Sequence, residues 1–146
     1  MNNPSRAARA GLSALFASAL LTVTVGAGVA SAQQVKVTLS GDQEVPAVKT
    51  AGAGTGTISV AADKSVSGSV MTTGVAGTMA HIHEAAPGKN GPVVIPLSKS
   101  GDSTWSVPAG AKLTDAQYNS FKAGNLYVNV HSAANPGGEV RGQLKP

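Results

Sequence analysis

The sequence predicts an all-β domain, an antiparallel sandwich with one short helix, and three observations carry this prediction. Apolar and polar residues alternate over many short stretches, which is the period of a strand with one buried face. Turn-forming residues such as Asp63-Lys64 and Pro136-Gly137-Gly138 separate these stretches at short spacing. A single segment near residues 114–123 departs from the alternation. Many short strands joined by turns are typical of two packed antiparallel sheets.

The chain begins with the pattern of a secretory signal peptide. Arg6 and Arg9 precede an apolar stretch over residues 11–29, and Ala30-Ser31-Ala32 has the small-x-small form of a cleavage site. We therefore predict a signal peptide over residues 1–32 and a periplasmic or secreted mature protein, residues 33–146. An uncleaved membrane anchor is the alternative, but the many small and hydroxylated residues of the stretch favour removal. We expect no membrane association after cleavage.

Composition restricts the partners of the mature domain. Two of the eleven basic residues lie in the predicted signal peptide, and the seven acidic residues all follow it, so the mature charge is only about +2. Aromatic residues make up 3% of the chain, too few for the stacking platforms that single-stranded nucleic acids use. Nucleic acid is therefore not an expected partner. The absence of cysteine excludes both a disulfide framework and a lipid-modified cysteine.

The strands follow one another at short intervals along the mature chain. Eight segments have the alternating pattern, and we predict strands around 35–39, 58–60, 66–70, 78–83, 93–97, 104–107, 126–131 and 139–144. Proline lacks the N–H that a central strand donates, so we expect the prolines among these segments at strand ends or edges. They are Pro46, Pro92, Pro96 and Pro108.

The exceptional segment has the signals of a helix from beginning to end. Thr114 is a suitable N-cap, Gln117 its capping-box partner, and Leu113 is placed to pack against Tyr118 as a hydrophobic staple. Gly124 supplies the C-terminal stop. We expect this helix to close one end of the sandwich and to carry no catalytic group.

Two of the three histidines, His81 and His83, lie two residues apart in a predicted strand, and His131 closes another. Alternation places His81 and His83 on one face, with Cα atoms roughly 6.6 Å apart. In both strands the apolar residues occupy the other face, so all three histidines are expected to point away from the core. We expect them at the surface, where their replacement costs little stability. Three imidazoles that converge suit copper, or with less preference zinc. The alternative is a set of independent histidines that are solvated at the surface or hydrogen-bond to loop backbone.

A metal at His81, His83 and His131 would need a fourth ligand, for which Met79, Glu84 and water are the candidates. A thioether from Met79 would favour Cu(I). Glu84 could instead orient a histidine from the second shell. The imidazoles must be neutral to bind, so affinity is expected to fall as the pH drops through about 6.5.

No catalytic set accompanies the histidines. Glu139 and Arg141 share the outer face of the last strand, and a structural brace is the favoured interpretation because no second carboxylate stands beside Glu139 for paired acid–base work. The Gly-x-Ser-x-Gly motif of a nucleophile elbow is absent from the sequence.

Three segments together resemble the CHRD domain, a module named from chordin and found in exported bacterial proteins. They are HIHEAAPGKNGPVVIPL (81–97), LTDAQYNSFKAGNLYVNVHS (113–132) and NPGGEVRGQL (135–144). The resemblance covers essentially the whole mature chain, and it implies an extracytoplasmic immunoglobulin-like β-sandwich. It implies little about chemistry.

A shorter resemblance concerns HIHE (81–84), which is similar to the copper-ligand strand of Cu/Zn superoxide dismutases, also antiparallel sandwiches. It implies copper ligation by His81 and His83, with His131 near a later ligand position. Three histidines are too few for that family's two-metal site, so only a copper-only site remains.

Three functions are therefore open. The first is a copper-binding protein that sequesters or delivers the ion. The second, close behind, is a non-catalytic module that binds extracellular or periplasmic proteins. The third is a copper-only redox enzyme, for which the sequence offers no convincing catalytic set.

Overall fold

The computed structural model describes residues 31–146. Nearly all of the predicted signal peptide, residues 1–30, lies outside the described residues. Eight strands and one α-helix make up the described part, with a short 3-10 turn at Gly41–Gln43 after the first strand. In chain order they are β1 (Gln33–Ser40), β2 (Ala53–Val60), β3 (Val66–Thr73), β4 (Gly77–Glu84), β5 (Val93–Lys99), β6 (Thr104–Ser106), α1 (Asp115–Lys122), β7 (Leu126–Ser132) and β8 (Val140–Leu144).

The all-β antiparallel class is confirmed, but the predicted sandwich is wrong in one respect. All eight strands form one sheet that closes into a barrel in the order β1-β2-β3-β6-β5-β4-β7-β8. The closure is narrow, because β1 meets β8 at a single pair, Ser40 with Arg141, and β5 meets β6 at two pairs. Alternation reveals which face of a strand is buried, but it cannot reveal whether the outer strands of two sheets meet. A sandwich was therefore the natural prediction for a barrel joined along two short seams.

The alternating apolar side chains fill the barrel interior as expected. Leu39, Ile58, Ile82, Val128 and Val140 are each at most 1% exposed and belong to one continuous core. Pro96 lies inside β5 rather than at its end. It is tolerated there because the pairing of β6 with β5 covers only Ser98 and Lys99, so β5 has a free edge at Pro96.

The helix α1 has both predicted end signals. The Thr114 side chain accepts from the N–H of Gln117, and the Gln117 side chain accepts from the N–H of Thr114, which completes a capping box. At the other end, Gly124 adopts a positive φ of 75° and donates to the carbonyl of Phe121, while Asn125 donates to Ser120. These two bonds are those of a Schellman motif. Phe121, which is fully buried, attaches the helix to the core.

The outer face of β4, β7 and β8 is covered rather than open to water. Tyr127 and Asn129 point away from the interior, yet each is only 1% exposed. Three loops, residues 41–52, 85–92 and 132–139, contribute the contacts that cover this face. The barrel therefore has a second buried layer, which is polar and lies outside the sheet. The histidines occupy this layer.

Candidate metal centre

The three histidines meet on the covered outer face, where β4 and β7 lie side by side. In the register of this pair, Met79 is opposite His131, His81 opposite Asn129, and His83 opposite Tyr127. The expected orientation away from the core is correct. The expected solvent exposure is wrong, because His83 is 8% and His131 7% exposed, and only His81 is partly open to solvent.

The ring nitrogens lie close enough to surround one point. His81 Nδ1 is 3.1 Å from His131 Nε2, and one nitrogen from each of the three rings lies within 4.8 Å of the other two. Two nitrogens bound to one tetrahedral ion at 2.0–2.1 Å would be about 3.3 Å apart. Small movements of the rings therefore bring these three nitrogens to ligand spacing. The fold thus brings together three histidines that could hold a metal ion.

Backbone carbonyls determine which nitrogens carry protons. His83 Nδ1 is 3.0 Å from the carbonyl oxygen of Gly91, and His131 Nδ1 is 3.0 Å from that of Pro136. A carbonyl oxygen can only accept, so both Nδ1 atoms are protonated and donate. In the neutral rings the lone pair is then on Nε2, which is the arrangement of a histidine oriented for metal binding.

His83 Nε2 is buried and has no hydrogen-bond partner among the described residues. Its ring lies parallel to that of Tyr127, with centroids 5.0 Å apart, so the ring cannot turn away without losing this stacking. The Tyr127 hydroxyl in turn accepts from the N–H of Gly91, whose carbonyl holds His83 Nδ1. A buried acceptor without a partner is costly in a folded protein. The centre of the His83 ring lies 5.4 Å from that of His81 and 5.9 Å from that of His131.

The environment favours neutral imidazoles. Burial is the largest cause that lowers the pKa of all three histidines below the ordinary value of 6.5. Repulsion adds to the effect, from His131 and His83 on His81, and from the Arg141 guanidinium on His131. Histidines with a lowered pKa stay neutral to lower pH than an unperturbed imidazole does. The expected loss of metal affinity on acidification is therefore shifted to lower pH than for an unperturbed histidine.

Arg141 and Glu44 connect the covering loops to the barrel. Their side chains form an ion pair of 3.0 Å that is almost fully buried, and the guanidinium also donates to the carbonyl of Lys89 and to the side chain of Asn90. The same guanidinium lies 4.2 Å from the centre of the Tyr127 ring. The structural role expected for Arg141 is therefore supported, although its partner is Glu44 rather than Glu139.

Glu139 has a separate partner at the start of β8. Its carboxylate accepts from the Thr50 hydroxyl at 2.7 Å, and hydrogen bonds from Ser132 and Thr50 lower its pKa. A general acid at neutral pH would need a raised pKa. The geometry thus assigns Glu139 to bracing the loop that contains Thr50.

The two other candidate ligands, Met79 and Glu84, lie on opposite faces of β4. Met79 lies on the same face as His81, opposite His131, and is 46% exposed. Glu84 is not part of the cluster, because it follows His83 directly and alternation turns it toward the helix, where it accepts from the Ser120 hydroxyl. The carbonyls of Gly91 and Pro136, rather than Glu84, accept from the rings of His83 and His131 and orient them.

Sequence reasoning missed most of what supports the histidines. Alternation places Tyr127 on the same face as His131, but nothing in the pattern indicates that it stacks on His83. The Glu44 partner of Arg141 is 97 residues away in sequence and belongs to a loop with no strand or helix periodicity. The carbonyls of Gly91 and Pro136 have no side-chain signal, although the Pro and Gly residues around them mark the loops in question.

Comparisons with known proteins bear on the family alone. Neither the curated proteins nor the solved structures contain a significant match to this chain. No helix within residues 31–146 combines the length and the apolar character needed to cross a membrane. The family model of the CHRD domain matches residues 35–144, which is nearly all of the described chain. CHRD domains are typically extracellular or periplasmic and are generally non-catalytic modules. The match, together with the resemblance of the three segments, shows that this chain belongs to the CHRD domain family.

Proposed function

We propose that this chain is an exported CHRD-domain protein that binds one copper ion through His81, His83 and His131, in order to sequester or deliver it. The observation that carries the proposal is the cluster itself: one nitrogen from each ring lies within 4.8 Å of the other two, and His83 Nε2 is buried with no hydrogen-bond partner among the described residues. A metal ion would satisfy this lone pair.

The donor set favours copper over the other common metals. Imidazole nitrogens suit copper and zinc, whereas magnesium and calcium require oxygen ligands. No carboxylate or thiolate joins the three histidines in the described residues. Among divalent ions at nitrogen sites of equal geometry, copper binds more tightly than zinc. Zinc is therefore the less favoured occupant.

The protonation pattern predicts how each ring would bind. His83 and His131 would use Nε2, because their Nδ1 atoms donate to carbonyls. His81 now donates from Nδ1 to His131 Nε2, since the latter has a lone pair. Copper binding by His81 Nδ1 requires that this proton leave and that the ring be protonated on Nε2 instead. The partial exposure of His81 gives that Nε2 access to water.

Copper titration of the purified, untagged protein tests the proposal. We expect one tight equivalent, and a loss of at least tenfold in affinity for each of His81→Ala, His83→Gln and His131→Gln. Glutamine retains an N–H that can donate to the loop carbonyl, so these two variants separate the loss of a ligand from the loss of the fold. Lys36→Ala, on the exposed face of β1, is the control and should bind as the wild type does. Independent weak binding that declines gradually with each substitution would contradict the proposal.

Two other functions compete with copper binding. Family membership favours a non-catalytic module that binds extracellular or periplasmic proteins, and a protein without a tight copper site would be best explained in that way. A copper-only redox enzyme is ranked third, because it additionally needs substrate access at the ion. We propose that the protein is not an enzyme, because among the described residues Glu44 is engaged with Arg141 and Glu139 with Thr50.

Export is the remaining part of the proposal. It rests on the signal-peptide pattern of residues 1–32 and agrees with the typical location of CHRD domains. The intact mass of the exported product should correspond to a chain that begins at Gln33. A product that retains residues 1–32 would refute the predicted cleavage.

A further inference from the structure

The outer face of β4 carries a fourth soft donor beside the three histidines. Met79 precedes His81 by two residues, so strand alternation places both side chains on the same face of the sheet. Across the β4–β7 pair, the Cα partner of Met79 is His131. Directly opposed residues of antiparallel strands have Cβ atoms about 4.5–5.5 Å apart. The thioether of Met79 is thus within reach of the ring of His131.

Met79 is unusually exposed to solvent for a large apolar residue. Its side chain is 46% exposed, whereas the rings of His83 and His131 are buried beneath the loops. A register irregularity just before Met79 interrupts the pairing with β7, and such irregularities commonly re-aim the following side chain. Methionine is unbranched and has three rotatable bonds, so it can adapt to an ion held by its neighbours. Met79 is thus an exposed residue directly across the strand pair from His131.

The donor set carries no negative charge. The three imidazoles are neutral ligands, and the nearby carboxylates are engaged elsewhere: Glu44 with Arg141, Glu139 with Thr50. No carboxylate belongs to the histidine cluster among the described residues. Neutral donors therefore offset less of the charge of Cu(II) than of Cu(I).

We propose that Met79 completes the site as a thioether ligand at its exposed edge and makes it selective for Cu(I) over Cu(II). The proposal rests on copper binding by the three histidines, and it adds the oxidation state and the fourth ligand. A soft sulfur donor with neutral nitrogen donors is the set that Cu(I) prefers. Because Met79 is the most exposed of the four residues, it is also where an incoming Cu(I) or a competing soft ligand first meets the site.

The test compares Met79→Leu with Met71→Leu, because Met71 is an equally accessible methionine, 57% exposed, on β3. Strands β6 and β5 lie between β3 and β4 in the barrel, so Met71 is outside the site. Cu(I) affinity is measured anaerobically by competition with a chromophoric Cu(I) chelator, and Cu(II) affinity separately by competition with an amino-acid chelator.

We expect Met79→Leu to weaken Cu(I) binding at least tenfold and to change Cu(II) binding less than twofold, while Met71→Leu changes neither. Each tenfold loss of Cu(I) affinity relative to Cu(II) affinity lowers the reduction potential of the bound copper by about 59 mV. X-ray absorption of the Cu(I) complex should show one sulfur neighbour, lost only in Met79→Leu. Tight Cu(I) binding that is unaffected by Met79→Leu would overturn the role of Met79 and leave the histidine site intact. A wild-type protein that binds no copper would overturn both.

Discussion

The three imidazoles differ in what holds them, and this difference governs the effect of replacing each one. His83 is stacked on Tyr127 and donates to Gly91, and His131 donates to Pro136, whereas His81 contacts only His131 by hydrogen bond. Residues that were expected to be tolerant surface positions are therefore part of a buried layer. Their replacement affects both ligation and stability.

Replacing His83 should cost more stability than replacing His81. His83→Ala leaves the Gly91 carbonyl without its donor and removes the stacking on Tyr127, so we expect a loss of about 1–3 kcal/mol. His81→Ala removes a partly exposed ring with one hydrogen bond, and under about 1 kcal/mol is expected. Urea denaturation of the metal-free variants measures both free energies. Equal costs would contradict the burial of His83.

The lowered pKa values predict how the stability of the metal-free protein depends on pH. The native state disfavours protonated rings, whereas the unfolded chain takes up protons near the ordinary value of 6.5. Above pH 6.5 the histidines are neutral in both states, so they cost the native state nothing. As the pH falls below 6.5 the unfolded chain takes up more protons, and the free energy of unfolding decreases. Glu44, whose pKa is raised by burial, acts in the opposite sense nearer its ordinary value of 4.5.

The difference between wild type and His83→Gln isolates the histidine contribution, because Glu44 is common to both proteins. We expect the wild type to lose more stability than the variant between pH 7 and pH 5. Parallel stability curves for the two proteins would show that His83 titrates normally in the native state.

At the scale of strands and helices, most of the structure follows from local patterns. Alternation identified all eight strands, and the capping signals around Thr114 and Gly124 identified the helix within one residue at each end. These features depend on neighbours in sequence, which a pattern can reveal. Glu84 directly follows His83 in β4, so strand alternation alone places the two side chains on opposite faces of the sheet. The candidate ligand role of Glu84 was therefore inconsistent with the strand pattern.

The N-cap residue of the helix, Thr114, should contribute measurably to the stability of the protein. Thr114→Ala removes the acceptor for the N–H of Gln117 and should destabilise the protein by about 1 kcal/mol. Thr114→Ser retains the hydroxyl and serves as the control. Thermal unfolding of both variants gives the comparison, and an alanine variant as stable as the wild type would mean that the capping box contributes nothing to the fold.

At the scale of the whole molecule, closure of the barrel and coverage of its outer face could not be predicted from local patterns. Both depend on pairs that are far apart in sequence, such as Ser40 with Arg141 at the seam and Glu44 with Arg141 under the loops. The loop that contains Glu44 has no periodicity to indicate where it lies. Burial of the histidines follows from this coverage, which is why sequence reasoning placed them at the surface.

Removing one partner of the Glu44–Arg141 ion pair should destabilise the protein more than removing both charges. Arg141→Met leaves the Glu44 carboxylate buried without its counter-ion, and a loss of about 3–5 kcal/mol is expected. Adding Glu44→Gln removes the unpaired charge and should recover part of that loss. Denaturant unfolding of the single and double variants decides the matter, and a double variant no more stable than Arg141→Met would mean that the cost lies in other contacts of the guanidinium.

The central claim is that His81, His83 and His131 bind a single copper ion, and anomalous diffraction from crystals of the copper-loaded protein tests it most directly. Data collected on either side of the copper absorption edge locate the ion without reference to any assumed ligand. We predict one strong anomalous peak about 2.0–2.1 Å from His81 Nδ1, His83 Nε2 and His131 Nε2. No peak between the three rings, or copper scattered over unrelated surface positions, would contradict the account.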